Sequence, residues 1–137
     1  MSIYLDHNAG SRFRPQAAEA AARMLARSEG NPSSVHRSGQ HARRALEEAR
    51  AQVAALIGAH PREIVFTSGG TEANNLAIFG TLGRAENRRR VVTSAIEHSS
   101  IMAPLAELER GGIEIARIAP DRDGVISPTD VIAALDD

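Results

Sequence analysis

The chain has 137 residues, a formal net charge of −1, 42% hydrophobic residues and 24% charged residues. These values fit a small soluble domain, or part of a larger one, and give no global electrostatic reason to bind nucleic acid or an anionic membrane. There is no cysteine, and all 16 lysine-or-arginine positions are arginine; this excludes disulfides, thiolate nucleophiles and cysteine metal sites, and also Schiff-base chemistry on a side-chain amine, because arginine keeps its proton.

Met1 to Leu5 leads straight into Asp6 and His7, with no apolar signal core and no run long enough to span a bilayer, which points to the cytoplasm. Ile3-Tyr4-Leu5 reads as a short extended segment. Pro15 suits the first turn of a helix running to Arg27, with a weak apolar stripe of Ala18, Ala21, Ala22 and Leu25. Gly30-Asn31-Pro32-Ser33-Ser34 is a turn cluster. A long helix is expected from Val35 to Ile57, where Ala42, Ala45, Leu46, Ala49, Val53 and Leu56 recur at helical spacing and Gly58 stops it. Glu63 to Thr67 reads as a buried-type strand, Ser68-Gly69-Gly70 as a turn, and Thr71 to Leu82 as a helix. Arg88-Arg89-Arg90 is the one dense basic run, read as a solvated loop against a phosphate or RNA contact. Arg90 to Ser94 is the second expected strand, Ser99 to Arg110 a helix ended by Gly111-Gly112, and Ile113 to Ile118 the third strand. Asp121 to Gly124 is a turn, and Ser127 with Pro128 opens a last helix reaching Leu135.

Alternation of this kind predicts an α/β fold with a mainly parallel sheet. Three strands are a poor end point for such a sheet, whose open edge would lack a partner, so the pattern suggests a chain cut inside a domain.

Three segments carry candidate chemistry. In Phe66-Thr67-Ser68-Gly69-Gly70-Thr71-Glu72-Ala73-Asn74-Asn75, glycines admit a ligand close to the backbone, and the free amides of a helix start favour an anion such as phosphate. The pattern lacks the lysine of a Walker A loop and the G-x-G-x-x-G spacing of a dinucleotide fingerprint; it also fits a plain tight turn with Thr71 as a cap. The second segment, Thr93 to Ser100, places His98 beyond the C-terminal end of a strand, on the rim where open parallel sheets bind ligands. An imidazole there could stack on a cofactor ring or move protons, or simply serve as a cap. The third, Gly30 to His36, fits an ordinary turn with a serine cap. His36, His41 and His60 show no metal-ligand spacing with a carboxylate, so no metal is expected.

In combination the segments are more specific. The order Tyr4-Leu5-Asp6-x-Asn8-Ala9, Gly30-Asn31-Pro32-Ser33-Ser34-x-His36, Phe66-Thr67-Ser68-Gly69-Gly70-Thr71-Glu72-x-Asn74-Asn75-Leu76-Ala77-Ile78, then Glu97-His98, resembles the N-terminal region of cysteine desulfurases. These are pyridoxal 5'-phosphate enzymes of the class V aminotransferase group, fold type I, and the resemblance runs from about Ile3 to the end of the chain. It implies the front of a pyridoxal-phosphate-binding large domain over residues 15–137, with residues 1–14 belonging to the family's smaller domain. It also implies that Gly70 and Thr71 bind the cofactor phosphate and that His98 stacks on the pyridine ring and assists proton transfer. Asn31, Ser33 and Ser34 would lie on a loop near the active site and a partner subunit. Gly10 and Ser11 stand where family members usually have two threonines.

The implied reaction takes sulfur from L-cysteine, leaving L-alanine and an enzyme persulfide for iron–sulfur cluster assembly or another sulfur acceptor, in a homodimer. The family's Schiff-base lysine, its sulfur-accepting cysteine and the aspartate paired with the pyridine nitrogen have no counterpart in this sequence. The chain alone is therefore expected to be inactive and to need a complementing chain. The alternatives are another class V enzyme, such as a selenocysteine lyase, and a non-catalytic fragment that pairs with an intact homologue.

Overall fold

The computed structural model describes residues 3–27, 30–83 and 90–136. Arg88 and Arg89 lie outside these residues, so of the basic run only Arg90 is described. The fold contacts divide the chain into two units, Met1–Val65 and Phe66–Asp137.

The first unit is helical. Residues 3–14 form no strand. The Tyr4 hydroxyl instead donates to the carbonyls of Asp6 (2.8 Å) and Gly10 (2.7 Å), and the Tyr4 ring meets His7 edge-on at 5.0 Å. Helix α1 spans Pro15–Arg27, with proline at its first position as expected. Its apolar stripe is left open, with Leu25 80% exposed. Helix α2 spans Arg37–Ile57, and Gly58 ends it in the left-handed conformation (φ 68°), where its N–H reaches Ala54 and Ala55 carbonyls. The cap at the other end is His36 rather than a serine: its Nδ1 accepts the Gly39 N–H at 3.3 Å. A 3-10 turn at Pro61–Glu63 is capped in the same way by His60, with the Glu63 carboxylate returning to the His60 N–H at 2.7 Å.

The strand expected at residues 63–67 does not form. Ile64 has extended backbone angles (φ −91°, ψ 126°), but its N–H closes the 3-10 turn on Pro61 and its carbonyl accepts from the Arg50 guanidinium. Extended backbone becomes a strand only when a neighbour supplies the ladder. Here a turn and a side chain satisfy those groups first.

The second unit is built around a βαβ motif. Helix α3 spans Gly70–Leu82, strand β1 Arg90–Ser94, helix α4 Ser99–Arg110, strand β2 Glu114–Ile118 and helix α5 Pro128–Asp136. Among the described residues β1 and β2 make the one sheet, parallel, in register from Arg90 against Glu114 to Ser94 against Ile118. The α/β class is thus observed, with two strands where three were expected. Leu105 of α4 is 1% exposed and Ile115 of β2 is buried with it, so the core lies where α4 covers the sheet. Arg90 Nε lies 3.2 Å from the Glu114 carboxylate at the sheet edge, an ion pair whose angle does not make a directed hydrogen bond. Arg117 of β2 holds Glu109 of α4 through two bonds of 2.8 and 2.7 Å, which keep the Glu109 carboxyl below its ordinary range. The Asp121 carboxylate accepts from the Asp123 and Val125 amides, closing a turn that places Gly124 at φ 81°. The Ser127 hydroxyl then accepts from Asp130 at the start of α5.

Candidate functional site

Among the described residues the N-terminus of α3 is an array of donors without acceptors. The helix's first backbone bond runs from the Ala73 N–H to the Gly69 carbonyl at 3.1 Å. The amides of Gly70, Thr71 and Glu72 therefore precede the ladder, and no side chain caps them. Thr71 is not the cap; that position falls on Gly69, whose backbone is fully extended (φ 169°, ψ 179°). A Cβ built on Gly69 or Gly70 would meet nothing within 4 Å, so open space lies before the helix start.

The loop leading into this array is braced. The Thr67 hydroxyl donates to the Gly69 carbonyl at 3.1 Å. Glu72 turns back, and its carboxylate accepts from both the hydroxyl and the N–H of Ser68 at 2.7 Å. Those two bonds, the hydroxyl's first, hold the Glu72 carboxyl below its ordinary range. Its negative charge is thus committed to Ser68, and the three amides stay free.

His98 caps α4. Its Nδ1 accepts the Ser100 N–H at 3.1 Å and lies 2.9 Å from the Ser100 hydroxyl oxygen. Ser100 is 9% exposed, and its hydroxyl oxygen also accepts from the Asn74 amide at 2.9 Å. Asn74 is one turn along from Thr71. The structure therefore joins the opening turns of α3 and α4 through the Asn74–Ser100 bond, with Gly70 and Thr71 at the start of one helix and His98 at the start of the other. Two apolar recesses flank α3, of about 300 and 210 Å³. Neither of these two is lined by Gly70, Thr71 or His98, and Gly70 and Thr71 stand at an exposed helix end.

Asn31, Ser33 and Ser34 belong to the first unit. The Asn31 side-chain oxygen accepts from the Ser33 N–H at 2.9 Å, and the Asn31 carbonyl accepts from the Ser34 N–H at the same distance. The turn is pressed against the start of α2. A Cβ on Gly39 would stand 2.4 Å from the Ser34 carbonyl oxygen, and one on Gly30 2.4 Å from the Ser38 carbonyl. Among the described residues no group of three or more histidine, cysteine or acidic side chains could hold a metal. No described helix is long and apolar enough to cross a membrane.

Sequence reading missed Asn74, Ser100, Glu72 and Gly39. A glycine inside a predicted helix was the available signal for Gly39. Glu72 stands four residues after Ser68, a spacing close to that of a capping box. Asn74 and Ser100 are 26 residues apart, and nothing local links them.

Residues 3–137 match the family described as Aminotransferase class-V. The chain belongs to that family. Its relatives include the putative cysteine desulfurase IscS 1 of Bacillus subtilis, 45% identical over 136 residues, and the cysteine desulfurase IscS of Dictyoglomus turgidum, 42% identical over 134 residues. These alignments cover 98% and 97% of this chain but 36% and 34% of the relatives, so the chain spans about a third of their length. Among solved structures, a NifS-like protein superposes with a TM-score of 0.85 at 30% identity, covering 95% of this chain and 36% of the other. SspA in complex with cysteine gives 0.87 at 34% identity, covering 97% and 39%. The class-V α/β fold of this chain is thus shared with NifS-like proteins.

Proposed function

We propose that this chain is part of a pyridoxal-phosphate-dependent cysteine desulfurase and forms one side of its cofactor site. The observation that carries the reading is the start of α3: three amides without partners, the Thr71 hydroxyl beside them, and no Cβ at positions 69 and 70. A set of donors with no acceptor fits a phosphate and suits no cation. In this reading the Gly70, Thr71 and Glu72 amides and the Thr71 hydroxyl hold the cofactor phosphate. His98 lies along the ring, and the turn at Asn31, Ser33 and Ser34 lies near the active site and a partner subunit. Bound there, the cofactor supplies an electron sink for amino-acid chemistry. Ser68 and Glu72 keep the loop shaped for the phosphate, and the α4 cap keeps the His98 ring in place.

Residues 1–14 are assigned to the smaller domain and 15–137 to the large one, as the family resemblance implies. The substrate is L-cysteine and the products are L-alanine and a protein-bound persulfide, passed to a sulfur acceptor such as a cluster scaffold. The work is cytoplasmic and performed by a dimer. Relatives named cysteine desulfurase, and a structural neighbour bound to cysteine, support this choice of substrate. Neither lysine nor cysteine occurs in these 137 residues, so in this reading both come from outside them. The test is alanine formation from L-cysteine with added pyridoxal phosphate. The chain alone is expected to form none, and a complementing polypeptide bearing the lysine and cysteine is expected to restore it. Catalytic alanine formation by the chain alone would overturn the reading.

A further inference from the structure

We infer that Asn74 and Ser100 are positioning residues for His98, holding its ring in the Nε2–H tautomer so that it meets a ligand as a hydrogen-bond donor and not as a base. Its bearing on function rests on the reading that His98 serves the cofactor, but the tautomer can be measured without any cofactor.

A backbone N–H can only donate. The Ser100 N–H lies 3.1 Å from His98 Nδ1, so Nδ1 must present a lone pair. The Ser100 hydroxyl oxygen lies 2.9 Å from the same nitrogen. That oxygen already accepts an N–H of Asn74, which leaves the hydroxyl hydrogen free to point at Nδ1. Two donors thus converge on one ring nitrogen, and in a neutral imidazole the proton must sit on Nε2. Ser100 is buried and Asn74 half-buried, so water competes weakly for these bonds. Among the described residues Nε2 has no partner, and it is the nitrogen left for a ligand.

The chain contains its own controls. His36 and His60 also cap helical turns through Nδ1, but each accepts a single backbone N–H, at 3.3 and 3.2 Å, with no hydroxyl behind it. Only His98 carries the second donor and the asparagine relay.

Long-range proton–nitrogen spectra of the ¹⁵N-labelled full chain at about pH 8, above the ordinary histidine range, read each tautomer directly. The expected result is that His98 is the most completely Nε2-protonated of the three capping histidines. Ser100→Ala should draw its two nitrogen shifts toward each other, to values like those of His36 and His60, while Ser100→Thr keeps the original pattern. Asn74→Asp provides a second route with almost no change in shape. A carboxylate takes the Ser100 hydroxyl hydrogen for itself, and the same loss of bias should follow. A His98 protonated on Nδ1 overturns the inference, as do shifts unmoved in the variants that fold. Adding pyridoxamine phosphate to the same samples tests the phosphate cradle separately, so failure of one leaves the other standing.

Discussion

The turn before α2 and the turn before α3 each bring two glycines to a helix start, and the space around them differs. At Gly30 and Gly39 a Cβ would be driven to within 2.4 Å of backbone atoms of the facing segment. At Gly69 and Gly70 it would meet nothing within 4 Å. None of these four requires a left-handed backbone. The first pair is glycine because the chain packs against itself there. The fold makes no such demand on the second pair, and a ligand that must approach the backbone would.

Substitution should separate the two cases. Gly39→Ala forces the Asn31–Ser34 turn off α2, and overpacking of this kind costs about 1–3 kcal/mol. Chemical denaturation should show it directly; an unchanged midpoint would mean the turn is not held as described. Gly70→Ala should leave stability level or raise it by up to ~1 kcal/mol, since alanine is the better helix former and finds open space. The same variant should lose phosphate binding. Its unfolding curve and its ligand titration are therefore expected to move in opposite senses.

Replacing the α4 cap with His98→Ala should cost roughly 0.5–2 kcal/mol, the usual cost of a lost N-cap, measured by thermal unfolding. A smaller, pH-dependent effect is expected at Ser68. The Glu72 carboxyl is held below its ordinary value, so the stability it contributes is present above the unfolded-state value and is lost as pH falls through the folded one. Acidification should release the Ser68 amide, seen as faster hydrogen exchange relative to its neighbours. Glu72→Gln should remove that pH dependence. Release of Ser68 at neutral pH in the unsubstituted chain would contradict the clasp. The least effect is expected at the exposed Arg117–Glu109 pair, where Arg117→Gln should lower stability slightly and less so in high salt.

The same contrast explains what could be read from the residues. Helices α1 and α4 and strand β1 carry local signals: Pro15 at a first position, Gly111 past a last one, and Val91 and Val92 in a short run. Each was legible to the residue. The segment at 63–67 has strand composition, but a strand is a relation between segments, and Ile64 spends its hydrogen bonds elsewhere. The cap of α2 was misread as a serine because histidine lacks the short oxygen-bearing side chain that usually marks one; Nδ1 does the same work at 36, 60 and 98, and of these only His98 had a cap among its readings. The positions of Gly70 and Thr71 at a helix start, and of His98 just past a strand, were visible because helix ends and strand ends are local. The packing of Gly39 left only the trace of a glycine inside a predicted helix, and the Asn74–Ser100 bond, which depends on tertiary contact, left none.

The central claim is that the open glycines before α3 receive a phosphate. The most direct measurement is an NMR titration of the ¹⁵N-labelled chain with pyridoxamine phosphate, which has no aldehyde to react with the N-terminal amine, against pyridoxamine. The amides of Gly70, Thr71 and Glu72 should shift with the phosphorylated compound, while those of Gly30 and Gly39 stay still, and pyridoxamine alone should move none of them. Equal shifts with both compounds, or shifts that spare the start of α3, would contradict the account.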